Sequence, residues 1–199
     1  CATSPDDAVG PPAKETIDAV TTLNELVRFN AGQPQKLLSK RPLTGLLPGD
    51  TLLGIDYRVA RGELYALASS GQLYRVDADK AELSPVGDPV PLPGDNAGPW
   101  GVDFNPTVDR IRVISATGQN LRLHPDTGAV VDAQPDQPGL QLDGALQYVA
   151  GDPQAARRPD MAGVAYTYNH RDEKLTTNYV IDRGLGLLVM QVVVRTGWF

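Results

Sequence analysis

The chain repeats itself at a spacing of 47 residues, and this limits its folds more than any other feature. Gly54-Ile55-Asp56-Tyr57 returns as Gly101-Val102-Asp103-Phe104, 47 positions on. The register holds without a gap for about thirty residues. Leu64 meets Ile111, Gly71-Gln72 meets Gly118-Gln119, and Arg75-Val76 meets Arg122-Leu123. The same spacing carries residues 26–31 onto 73–78, so the chain opens with the second half of a unit. A third copy begins at Gly163-Val164-Ala165-Tyr166. Lys174-Leu175 stands where its second strand is expected to start, and Tyr179-Val180-Ile181-Asp182 echoes the third strand, Tyr74 to Asp77.

Each unit reads as short strands. Residues 52–57, 63–68, 72–77 and 81–86 are apolar or β-prone runs, separated by Gly71 and by the turn Asp77-Ala78-Asp79-Lys80. Four strands joined by tight turns and repeated at this period predict an all-β fold: a β-propeller-like repeat of four-stranded antiparallel sheets. Such a sheet buries its apolar faces only against its neighbours. Two and a half copies are few for a closed ring, so an incomplete or open ring is expected. An N-terminal strand completing the last sheet would be one way to remove its edge. The units run 51–99 and 100–160, with a half unit at 23–50, a partial unit at 161–199 and a flexible tether at 1–22. Pro- and Gly-rich stretches at 88–99, 134–139 and 151–159 divide them, since proline lacks the donor a central strand needs. The only helical spacing is Ile17, Val20, Leu23 and Val27, which predicts at most a weak helix over 14–26.

The single cysteine is Cys1, so no intrachain disulfide can form. Cys1 followed by Ala2 and a polar, Pro-rich stretch resembles a mature bacterial lipoprotein, with lipid on Cys1. The expected address is the cell envelope, on the periplasmic face of the outer membrane, with membrane contact only through that lipid. The formal net charge of −6 argues against nucleic acid as a partner, because phosphate neutralisation needs clustered Lys and Arg.

Leu53-Gly54-Ile55-Asp56-Tyr57-Arg58, Leu64-Tyr65-Ala66-Leu67 and above all the run from Gly101 through Ser115 to Arg122 resemble the bacterial family called domain of unknown function 4394. The resemblance covers residues 23 to 190 and implies an exported, propeller-like protein. Residues 192–199 look unlike the family pattern, which implies a C-terminally truncated ring.

Candidate chemistry is sparse. Asp56 and Asp103 occupy equivalent places in strands expected nearest the ring axis, where a buried charge must be paired. They could form an acidic ring that holds a cation or polar ligand, or each could cap neighbouring backbone; repetition in successive units favours the second. Asn105, opening a turn in which Asp109-Arg110 can pair locally, and Trp100, beside Pro99, complete the candidate ligand set; a turn role and a core role are their alternatives. Asp77-x-Asp79 lacks the further ligands of a calcium loop. His124 and His170 have no partner at zinc spacing. Gly184-Leu185-Gly186 lacks the third glycine of a dinucleotide site, and no nucleophile motif or cofactor signature occurs. These features lead to a non-catalytic binding or scaffold module with no cofactor. The alternative is a metal-dependent, lactonase-like hydrolase using channel carboxylates.

Overall fold

A computed structural model describes residues 9–93 and 98–192. The described chain is all-β, with four antiparallel sheets and none closed into a barrel. Sheet 1 holds β1 (Thr16–Val20), β2 (Glu25–Asn30) and β3 (Leu37–Pro42). Sheet 2 holds β4 (Leu52–Arg58), β5 (Glu63–Ala68), β6 (Leu73–Asp77) and β7 (Glu82–Val86). Sheet 3 holds β8 (Trp100–Asn105), β9 (Arg110–Ser115) and β10 (Asn120–Leu123). Sheet 4 holds β11 (Met161–Tyr166), β12 (Asn178–Asp182) and β13 (Leu187–Gln191).

The strands of sheets 2 and 3 fall where the repeat puts them. Strands β4, β8 and β11 lie side by side as the inner strands of successive sheets. Each sheet therefore has a leading face toward the preceding sheet and a trailing face toward the next. Tyr65, Leu67 and Leu73 on the trailing face of sheet 2 pack on Phe104, Ile111, Val113 and Leu121 of sheet 3. The leading face of sheet 2 gathers Leu64, Ala66, Tyr74 and Val76, with Leu43 and Leu46 packed against them. Ile114 of sheet 3 meets Met161, Val180 and Val189 of sheet 4. This arrangement is an open, propeller-like row.

Several expectations are corrected. Residues 16–20 are strand, not helix. Ile17 lies opposite Phe29 and Val20 opposite Leu26, so a hairpin with β2 uses the apolar residues that suggested helical spacing. That strand falls inside the segment expected to be a tether and completes a three-stranded sheet of its own, in place of a half unit. In the third copy, Asn178–Asp182 pairs directly with β11 and is therefore its second strand, while Lys174-Leu175 sits in the connecting turn. The third strand is Leu187–Gln191, drawn from the apolar C-terminal run. Sheet 3 has only three strands, its fourth reduced to the single bridge Leu123–Val130.

Candidate functional site

Asp56 and Asp103 come together on the inner strands. Asp56 lies opposite Tyr65 in sheet 2, and Asp103 lies opposite Arg112 in sheet 3. Both side chains therefore leave the trailing face and reach the next inner strand. Asp56 Oδ2 accepts the Phe104 backbone N–H at 2.6 Å, and Asp103 Oδ2 accepts that of Tyr166 at 2.7 Å. Each acid thus ties its sheet to the next one through a backbone amide. The two carboxyls also lie within hydrogen-bonding reach of each other.

Burial raises the proton affinity of both groups. Asp103 is pushed up to about 8, first by burial and then by the neighbouring Asp56 carboxylate. Asp56 is raised by burial but held back by the amides of Phe104 and Tyr57. Burial and the neighbouring carboxylate thus both favour the protonated form of Asp103. In the third copy the same place is Ala165, so the acid is not continued into sheet 4.

The other expected site residues do not join this pair. Trp100 is 7% exposed and belongs to the core between sheets 2 and 3. Asn105 Oδ1 accepts the Thr107 N–H at 2.9 Å and its hydroxyl at 2.7 Å, which closes the turn after β8. Asp77 likewise accepts the amides of Asp79 and Lys80 within its own turn. Arg110 donates to the Asp109 backbone carbonyl at 2.8 Å, but not to its carboxylate. That carboxylate binds Arg58, 51 residues earlier, at 2.5 Å. Cys1 lies outside the described residues.

Sequence reasoning overlooked two arginines. Arg58 is 2% exposed and also binds Asp126 at 2.6 Å, so from the end of β4 it holds the turn between β8 and β9 and the turn after β10. Arg112 donates to Asn120 at 2.7 Å, to the Tyr166 hydroxyl at 3.2 Å and to Asp143, which Arg122 grips with a second guanidinium. Burial raises Asp143, but the two arginines more than offset it and leave the group below the usual range. The signal was present: an arginine flanked by Ile111 and Val113 in a core strand needs a buried partner. Asp143 lies 31 residues from Arg112, in an irregular segment, so no local pattern announced it.

Among the described residues no group of three or more His, Cys, Asp or Glu stands close enough to hold a metal ion. The fold and the inter-sheet ties define an all-β, propeller-like repeat protein. The profile of a domain of unknown function, DUF4394, matches residues 25–198, and the chain belongs to that family. The match passes through residues 192–198, which had been expected to depart from the family pattern. No curated protein matches the chain.

Proposed function

We propose that this chain is a non-catalytic binding or scaffold module of the bacterial cell envelope. The observation that carries the reading is the use made of Asp56 and Asp103. Each has an oxygen committed to the backbone of the adjoining sheet, and the two carboxyls face each other. A hydrolase using a divalent ion needs carboxylates with both charge and lone pairs open to the metal. Here one oxygen of each carboxyl accepts a backbone amide of the next sheet, a bond that serves as a structural tie. The buried arginines serve the same end, joining sheet 2 to sheet 3 and anchoring the segment around Asp143.

Thermal melts with added calcium or magnesium, and with EDTA, test the reading. The binding reading expects one midpoint in all three conditions. A metal-dependent rise that disappears in Asp56→Asn and Asp103→Asn would establish the metal-dependent hydrolase instead. The envelope placement rests on Cys1 and the polar segment after it. Mass spectrometry of the protein isolated from cells should find Cys1 carrying lipid; an unmodified thiol would remove the anchor.

A further inference from the structure

The trailing faces of sheets 2 and 3 follow one rule. Gly54 lies so close to the next inner strand that a Cβ there would stand 2.9 Å from the Val102 side chain. A Cβ on Gly101 would stand 2.8 Å from the backbone nitrogen of Val164. Two residues after each glycine, an aspartate holds the neighbour's amide. In sheet 4 the corresponding residues are Gly163 and Ala165. A Cβ on Gly163 would meet nothing within 4 Å.

Among the described residues, that face of sheet 4 is apolar and open. Tyr179 lies opposite Met190, and Ile181 opposite Leu188, across β12 and β13. Their exposures are 37% and 58%, then 51% and 68%. On the other side of the same strand Val180 is 1% exposed against sheet 3. Strands apolar on both sides belong between two layers.

The other end of the row presents the matching surface. On the leading face of sheet 1, Ile17 lies opposite Phe29 and Phe29 opposite Leu37. Ile17 and Phe29 are the repeat equivalents of Leu64 and Val76, which are buried in sheet 2. Ile17 is 40% exposed and Leu37 47% exposed.

We infer that the open face of sheet 4 docks the leading face of sheet 1 of a second copy of this chain. The occupant is set by continuity with the seams inside the chain: a trailing face takes a leading face of the same repeat. Sheet 1 carries a leading face with no preceding sheet among the described residues. Two copies then form two equal interfaces about a two-fold axis. Their four sheets each make eight in a closed ring, within the four to eight blades usual for propellers.

Light scattering on the eluting 199-residue chain tests this at several concentrations. The expected mass is twice 21.3 kDa. Gly163→Val and Ile181→Glu should each reduce it to one chain, with the far-ultraviolet spectrum retained, because both positions face open space within a single copy. Leu23→Glu, at a turn residue 76% exposed, should leave the pair intact. A wild-type mass of one chain throughout, a pair that survives both face variants, or open-ended polymers would overturn the proposal.

Discussion

Asp103 links local chemistry to stability most directly. Its carboxyl is raised from the ordinary 3.8 to about 8, so the folded chain keeps a proton that the unfolded chain has released. Its contribution therefore falls as pH rises through that window. Asp103→Asn keeps an oxygen for the Tyr166 amide, offers an N–H to Asp56 and removes the charge. At pH 8 the variant should melt at least roughly 2–4 °C higher than the wild type, with a flatter pH profile between pH 4 and 8. A lower midpoint at pH 8 would rule out the raised proton affinity of Asp103. Arg58 makes the opposite case. Truncating it leaves a hole beneath Tyr65 and frees Asp109 and Asp126, which are partly exposed and can rehydrate. Arg58→Ala should lower stability by about 2 kcal/mol in a denaturant titration, and Arg58→Lys should recover only part of it, since one ammonium cannot serve both carboxylates as a guanidinium fork does.

At the level of elements, the repeat is a repeat of backbone. Asn24, Gly71 and Gly118 lie 47 residues apart, and all adopt left-handed φ values of 56°, 81° and 83°. Ala81 and Gly128 form another such pair, as do Gly62 and Asp109. Residue identity changes where the side chain has found work: Asn24 bonds the Asp50 carbonyl and the Leu52 amide, and Asp109 binds Arg58. Gly71 has no such latitude, because a Cβ there would stand 1.8 Å from the Val90 carbonyl oxygen. Gly71→Ala should therefore cost upward of about 2 kcal/mol, measured by urea unfolding. Gly101→Val should destabilise by about 1–3 kcal/mol through the seam between β8 and β11.

Across the whole molecule, stability is distributed along a row in which each sheet touches its neighbours. The middle is best covered. Leu67 and Ala68 in sheet 2, and Val113 and Ile114 in sheet 3, are 0% exposed, whereas Leu188 and Met190 in sheet 4 are largely open. Native-state hydrogen exchange should be slowest for the amides of β5 and β9, and faster in β13. Association of two copies would narrow that difference by covering sheet 4. Equal protection of β13 in a single-chain sample would contradict the open row.

The 47-residue period, the strands of sheet 2, three of the four strands expected in sheet 3 and the family were legible in the linear order. Turn glycines and strand alternation act within a few residues, so they repeat wherever the sequence does. The first strand was not legible, because Ile17 and Val20 lie at helical spacing and fall on opposite faces of β1, so no alternation marks the strand until β2 lies alongside. Nor were the partners of Asp56, Asp103, Arg58 and Arg112 legible, since each tie crosses to residues brought near only when neighbouring sheets pack. Short-range chemistry wrote the sheets into the sequence; packing chose which charges meet.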